Sequence, residues 1–128
     1  MTSLDKDRPA LFAVEIRSAR WESLVAWYRD ALGLRVLLRV VDDRYALLAA
    51  GSARLAILGR DQTPPESRRW SLAFEVEHLE AVRGRLAAAG QEPPAATANP
   101  EGFRDCVVTD PDGNRIRLFT WNHDHTKG

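Results

Sequence analysis

The feature that most constrains this chain is an internal duplication. Residues 11–60 and residues 70–121 each read as one strand, one helix and three further strands, a βαβββ pattern. The AVEIRS and RLAIL runs of the first half align with the SLAFEV and RIRLF runs of the second. A four-stranded sheet of this size has too little core to be stable alone. The duplication therefore predicts one α+β domain of 128 residues, in which two modules form a curved mixed sheet around a cleft.

The elements of each half follow from hydrophobic periodicity and turn residues. Apolar residues at helical spacing run from Trp21 to Leu32, and a second helix is predicted over 78–89. Gly33 and Gly90 follow these helices, where a left-handed residue ends a helix. The strands are predicted at 11–18, 34–40, 45–50, 54–58, 71–76, 91–97, 103–109 and 115–121. The strand at 91–97 is interrupted by prolines and is expected to be a poor edge strand.

The run TDPDGNRIRLF at 109–119 predicts a β-hairpin. Proline fixes φ, glycine permits a positive φ, and Asp and Asn bond back to their own backbone. Asp110, Asp112 and Asn114 resemble the start of a calcium loop, but the bidentate glutamate that would complete such a loop is missing. The hairpin interpretation is therefore the better one.

Composition excludes several classes of function. The apolar fraction is 45% and the formal net charge is zero, so neither disorder nor a nucleic-acid or membrane partner is expected. A single cysteine, Cys106, rules out an intrachain disulfide and fits a reducing cytoplasm. The apolar runs are far shorter than the roughly 20 residues of a membrane span. Residues 1–9 and 122–128, the latter containing His123 and His125, are expected to be loose termini.

Three segments carry a resemblance to a known family. These are VAWYRDALGLRV at 25–36, LAFEVEHLEAVRGRLAAAG at 72–90 and DPDGNRIRLF at 110–119. Together with the duplication, they resemble the vicinal oxygen chelate superfamily, which includes glyoxalase I, extradiol dioxygenases, fosfomycin-resistance enzymes, methylmalonyl-CoA epimerase and bleomycin-resistance proteins. The resemblance implies the fold. It implies no single function, because the superfamily hosts several chemistries and some proteins that only bind.

The resemblance also locates the metal ligands of the family, which are typically His, Gln or Glu. The corresponding residues here are Ala13, Ala56, Ser71 and Arg117. Divalent cations need carboxylate, imidazole or thiolate ligands, and an arginine places a fixed positive charge where the cation would sit. We therefore predict no metal and no other cofactor.

A candidate ligand site follows from the strand pattern. Glu15 and Arg17 share one strand face, and if that face lines the cleft both project into it, with Arg117 opposite. Such a clamp would bind a carboxylate or phosphate, and Trp70 or Trp121 could stack on a planar ligand. The plainer alternative is a structural Glu15–Arg117 or Glu15–Arg17 ion pair, and tryptophans that only pack.

Two functions remain open from the sequence. The first is a metal-free binder similar to bleomycin-resistance proteins, which sequesters a small anionic or aromatic ligand. A binder of a bulky cationic drug would be acidic, whereas this chain is neutral. The second is a glyoxalase-type lyase or isomerase, or a dioxygenase-type enzyme, with a displaced metal or with Glu15 as general base. The resemblance also implies a homodimer, because relatives commonly complete their clefts across a two-fold axis.

Overall fold

The computed structural model describes residues 8–65 and 69–121, and it contains two four-stranded mixed sheets, each with one helix. The fold class predicted from the sequence is confirmed. The strands of sheet 1 are β1 Val14–Ser18, β2 Arg35–Val40, β3 Tyr45–Ala50 and β4 Ala53–Gly59. The strands of sheet 2 are β5 Leu72–Glu75, β6 Thr97–Ala98, β7 Phe103–Thr109 and β8 Arg115–Trp121. Helix α1 spans Trp21–Ala26 and continues as a π-helical segment over Trp27–Ala31, and α2 spans Leu79–Ala88.

The two sheets have the same topology. Their strand orders are β1-β4-β3-β2 and β5-β8-β7-β6. In each sheet the first strand runs parallel to the last, and the remaining neighbours are antiparallel. Strands β1 and β5 are therefore edge strands, each paired on one side only. The parallel pairing requires a crossover, which α1 and α2 provide.

A single hydrophobic core joins both sheets and both helices. Its members include Leu55 and Ile57 from sheet 1 and Ile116 and Leu118 from sheet 2. The helices contribute buried side chains to the same cluster, among them Leu24, Val25, Tyr28, Leu79 and Leu86. Both sheets thus turn their helix-covered side to a shared core. We call the other side of each sheet its outer face.

Hydrogen bonds from the second module cap the first helix. Gly33 has a positive φ of 85°, as the sequence predicts for a residue that ends a helix. Arg85 of α2 donates to the carbonyls of Ala31 and Leu32, at 3.3 and 2.9 Å. This guanidinium satisfies carbonyls that have no partner inside the helix and complements the negative end of its dipole.

Three local predictions need correction. The helix predicted without interruption from Trp21 to Leu32 changes to π-helical hydrogen bonding over its last turn. The first strand begins at Val14 rather than residue 11. The edge strand predicted at 91–97 is reduced to Thr97–Ala98, since prolines lack the N–H that a longer ladder needs.

The predicted loose termini fall mostly on residues 1–7 and 122–128, outside the described part of the chain. Within residues 8–65 and 69–121, no helix has the length and apolarity to cross a membrane.

Candidate functional site

A buried tyrosine–aspartate pair fixes the β7–β8 hairpin to the first helix. Tyr28 is fully buried and donates its hydroxyl proton to Asp110 Oδ2 at 2.6 Å. The same carboxylate accepts the backbone N–H groups of Asp112 and Asn114, each at 2.9 Å, and the Asn114 side-chain amide at 2.8 Å. All donors around Asp110 are therefore protein groups. Asp110 is a structural acceptor that closes the hairpin, and its oxygens are not available to a metal.

The protonated state of Tyr28 is strongly favoured in the folded protein. Burial raises the pKa of Tyr28 well above its usual value near 10, and the charge of Asp110 and their hydrogen bond raise it further. Tyr28 thus acts as a permanent donor.

Arg20 makes a second contact between the modules, through Nε to Asp112 Oδ1 at 3.2 Å and through Nη2 to the carbonyl of Pro111. The two modules are held as one body by these contacts.

The outer face of sheet 2 carries Arg117, which the structure holds in a fixed position. Its Nε donates to Asp105 Oδ2 at 2.9 Å. Its guanidinium carbon lies 4.9 Å from the ring centroid of Phe103 and 4.9 Å from that of Phe119. Both members of the ion pair are about one quarter exposed, 27% and 23% for the two side chains. The guanidinium is therefore oriented by one carboxylate and two aromatic rings, which leave the side chain little conformational freedom.

Trp121 extends this arrangement into an aromatic cluster, which we define as Phe103, Phe119 and Trp121. All three pairs of rings pack edge to face, with centroids 5.6 to 5.9 Å apart. Trp121 is still 41% exposed, so part of its indole is available to a ligand. Trp70, the other candidate wall, is 76% exposed and lies two residues before β5.

The outer face of sheet 1 carries the other predicted residues. Arg17 Nη2 lies 3.2 Å from Glu15 Oε1, and the two side chains are 45% and 50% exposed. Glu15 pairs in register with Ala56 of β4, which is completely buried. This ion pair is thus a solvated contact between two residues of one strand, beside the buried methyl group of Ala56.

The structure brings some of the predicted residues together and separates others. Glu15 and Arg17 form the structural pair that the sequence left open as the plainer alternative. Arg117 is not opposite them within one chain, because it lies on the outer face of the other sheet and pairs with Asp105 instead. Trp121 adjoins Arg117 through the aromatic cluster. The ligand-binding role of all five residues stays a prediction.

The residues that the resemblance assigns to the family's metal positions do not fit a divalent cation. Ala13 and Ala56 carry only a methyl group, Ser71 a neutral hydroxyl, and Arg117 a permanent positive charge. The described residues also contain no group of three or more His, Cys, Asp or Glu side chains that could hold an ion elsewhere. A displaced site built on Glu15 would have Arg17 as its nearest charged neighbour. We therefore derive no chemistry through a metal.

A groove of about 890 Å³ lies between the two modules. One wall comes from sheet 1 and the loop after α1, and the other wall is strand β5 with the end of β8. Every residue from Leu72 to Glu77 lines it, so the groove follows the free edge of β5. Apolar side chains dominate the lining, among them Val14, Leu34, Leu55, Leu72, Phe74 and Val76.

Sequence reasoning missed Asp105, Phe103 and Phe119, although a signal for them exists. The hairpin turn sets the register Thr109–Arg115, and side chains alternate between faces along a strand. Counting outward from the turn places Asp105 and Phe103 on the face of Arg117. The contact between Tyr28 and Asp110 has no such signal, because it depends on how the two modules pack.

Comparison with known proteins identifies the family. Residues 10–118 match the model of the glyoxalase/bleomycin resistance protein/dioxygenase superfamily. The chain belongs to this superfamily, and the resemblance seen in the sequence is confirmed. No curated protein gave a significant match.

Solved structures with the same fold span most of the chain. A glyoxalase family protein from Enterococcus faecalis is 26% identical, with a TM-score of 0.67 over 86% of this chain and 96% of that one. TioX from Micromonospora sp. ML1 is 21% identical, with a TM-score of 0.70 over 87% and 95%. A lactoylglutathione lyase from Agrobacterium tumefaciens is 15% identical, with a TM-score of 0.64 over 89% and 95%. The last two show the fold alone.

Proposed function

We propose that this chain is a metal-independent small-molecule-binding member of its superfamily, which sequesters a small aromatic or anionic ligand. The observation that carries the proposal is the setting of Arg117. It stands where the resemblance places a family metal ligand, and it is held by Asp105 against Phe103 and Phe119. A cation fixed in this way can take the place of a metal as an electrostatic anchor without any chemistry.

The free donors of Arg117 suggest the ligand class. Only Nε is used by Asp105, and the terminal Nη1 and Nη2 groups make no hydrogen bond to the described residues. These donors match a carboxylate or another planar oxyanion, while the partly exposed Trp121 offers a surface for stacking. An aromatic carboxylate satisfies both features. We further propose that the protein acts in the cytoplasm and as a homodimer.

Thermal-shift and calorimetric titration with a panel of aromatic carboxylates and the matching uncharged amides tests the proposal. We expect a carboxylate to bind and its amide to bind about tenfold or more weakly, since the amide loses the charge-assisted contact. Arg117→Ala should abolish the difference. Arg115→Ala is the matched control, because Arg115 lies on the same strand, two residues away. Equal binding of acids and amides would contradict the assigned role of Arg117.

Metal content, measured by plasma mass spectrometry before and after soaking with Zn²⁺, Ni²⁺, Mn²⁺ and Fe²⁺, tests the metal-independent part. We expect substoichiometric metal throughout. A stoichiometric metal that survives deletion of residues 122–128 would instead favour the glyoxalase- or dioxygenase-type enzyme.

A further inference from the structure

Strand β5 places a second charged group on the outer face of sheet 2, next to the aromatic cluster. In the parallel pairing of β5 with β8, Ala73 lies beside Arg117 and Glu75 lies beside Phe119. Residues in register project to the same side of a sheet, so Glu75 shares the face of Arg117. Ala73 carries only a methyl group. The side chain of β5 that is nearest to Arg117 is therefore too small to fill the space between the two charged groups.

Glu75 and the Arg117 guanidinium lie on opposite sides of Phe119. Phe119 pairs with Glu75 on β5 and with Asp105 on β7. Arg117 leans to the β7 side, because its Nε donates to Asp105 Oδ2 at 2.9 Å. Within residues 8–65 and 69–121, no ion pair joins Arg117 to Glu75. A gap above the Phe119 position thus separates a guanidinium from a carboxylate.

The carboxylate of Glu75 is available to a cation from outside the chain. It is exposed, and it makes no hydrogen bond or ion pair to the described residues. Asp105, the other carboxylate on the outer face of sheet 2, is already paired with Arg117. Arg54 is directed to Phe12 instead, with its Nε 3.1 Å from the Phe12 carbonyl and its guanidinium carbon 4.6 Å from the ring centroid.

The groove between the modules gives a ligand access to this face. Ala73, Glu75 and Trp121 all line the groove, which has a volume of about 890 Å³. A ring that stacks on Trp121 or Phe119 would lie between a fixed guanidinium and a free carboxylate. A simple aromatic anion satisfies only the guanidinium, and the charge of Glu75 repels it. A ligand that also carries a positive charge satisfies both groups.

We infer that the ligand of this face is an aromatic zwitterion, a molecule with an aromatic ring, a carboxylate and an ammonium group. Arg117 binds the carboxylate through its terminal donors, and Glu75 accepts hydrogen bonds from the ammonium group. The free aromatic amino acids are the simplest molecules of this class. The inference rests on the proposed function for the role of Arg117, and it adds Glu75 as the residue that selects among aromatic acids.

Calorimetric titration with two matched pairs of ligands tests the inference. L-phenylalanine and 3-phenylpropanoate differ only by the ammonium group, and so do 4-(aminomethyl)benzoate and 4-methylbenzoate apart from the spacing of their charges. We expect the zwitterion of at least one pair to bind about tenfold or more tightly than its partner, since it gains a charge-assisted hydrogen bond. If neither zwitterion binds more tightly than its partner, the inference is overturned.

Glu75→Gln removes the charge and keeps the size of the side chain. We expect the advantage of the zwitterion to disappear, while the ammonium-free partner binds at least as well as before. Glu77→Gln is the matched control, because Glu77 is exposed, lines the same groove and follows two residues later. It should keep the wild-type preference within about twofold, since a charge that does not touch the ligand is screened by solvent. Equal losses in the two variants overturn the inference.

Glu75→Lys provides a second readout, a reversal of preference. The ammonium-free acid should now bind more tightly than the zwitterion, because the introduced cation attracts the first and repels the ammonium group of the second. A Glu75→Lys protein that still prefers the zwitterion overturns the inference. Melting temperatures of all variants verify folding, which a change at this exposed side chain should preserve.

Arg117→Ala distinguishes failure of the inference from failure of the proposed function. If the acids bind and Arg117→Ala weakens them, but the ammonium group adds nothing, the inference fails and the proposed function stands. If Arg117→Ala leaves the affinity of every carboxylate unchanged, the proposed function fails and the inference fails with it.

Discussion

The outer faces of the two sheets differ at equivalent positions of the duplication. In the aligned runs RLAIL and RIRLF, Ala56 and Leu58 of β4 correspond to Arg117 and Phe119 of β8. Sheet 1 has a buried methyl group where sheet 2 has a guanidinium packed against two rings. One topology therefore supports two kinds of surface, because the side chains of an outer face do not contribute to the shared core.

The ion pairs on the two faces differ in the same way. Glu15 and Arg17 are about half exposed and form an ion pair with each other. Arg117 and Asp105 are about one quarter exposed, and the Arg117 guanidinium also packs against two aromatic rings. Shielding from water strengthens an ion pair and restricts its motion. The difference indicates that sheet 2 offers a preformed anchor and that sheet 1 offers an adaptable surface.

The largest effect on stability is expected from removing Asp110, the acceptor that fixes the β7–β8 hairpin of sheet 2 to helix α1. Asp110→Ala leaves the Tyr28 hydroxyl, two backbone N–H groups and the Asn114 amide without their acceptor. We expect a loss of about 3–5 kcal/mol in the free energy of unfolding, since several buried donors lose a charged partner at once. Urea denaturation followed by circular dichroism measures it. Asp110→Asn keeps one acceptor oxygen and should cost less, and a loss below about 1 kcal/mol for Asp110→Ala would contradict this role.

Alkaline pH is expected to lower the stability of the folded protein through the same contact, the one between Tyr28 and Asp110. The folded-state pKa of Tyr28 lies above the unfolded value near 10 because of burial and Asp110. Its contribution is therefore complete below pH 10 and is lost as pH rises above 10, where only the unfolded state ionises. Above pH 10 the free energy of unfolding of the wild type should fall by up to about 1.4 kcal/mol per pH unit more than that of Tyr28→Phe. Urea titrations of both proteins between pH 8.5 and 11 check this, and parallel curves would refute it.

The enclosed ion pair should show measurable coupling. A double-mutant cycle with Asp105→Ala and Arg117→Ala separates their interaction energy from the other effects of each substitution. We expect a coupling of about 1–2 kcal/mol, since the pair is partly shielded and the rings orient the guanidinium. Chemical denaturation of the four proteins gives this value. A coupling indistinguishable from zero would mean that Arg117 is held by the rings alone.

How much of this could be predicted from the sequence depends on the range of the interaction. Local signals were sufficient for most strands and for the hairpin turn, since hydrophobic alternation and the DPDGN turn depend on neighbours in the chain. Strands β3, β7 and β8 have the predicted bounds. The short β6 and the π-helical end of α1 depart from prediction. No residue in α1 signals the change to π-helical hydrogen bonding.

The candidate site was less predictable because it depends on contacts between elements. Periodicity placed Glu15 and Arg17 on one face, and their ion pair follows from spacing alone. The partner of Arg117 required the hairpin register, which the sequence could have supplied. Which faces of the two modules meet was beyond the sequence, because it depends on packing between elements that are far apart in the chain.

The smallest effect is expected on the exposed face. Glu15→Gln removes the charge of a half-exposed pair whose members lie two residues apart on one strand. Exposed pairs contribute between zero and about 1 kcal/mol, so the stability should change by less than about 0.5 kcal/mol. The cycle of Glu15→Gln with Arg17→Met should give a coupling well below that of Asp105 with Arg117.

The same substitution also separates binding from catalysis. A binder that uses Arg117 as its anchor should keep its carboxylate affinity within about threefold in Glu15→Gln, since Glu15 contributes only to the adaptable surface. An enzyme that uses Glu15 as general base would lose about a hundredfold or more in kcat with little change in affinity. Calorimetry for binding and a turnover assay with the same ligand distinguish these results. Because the fold is unaffected by a change this exposed, any loss of turnover would have to come from the chemistry of that one carboxylate.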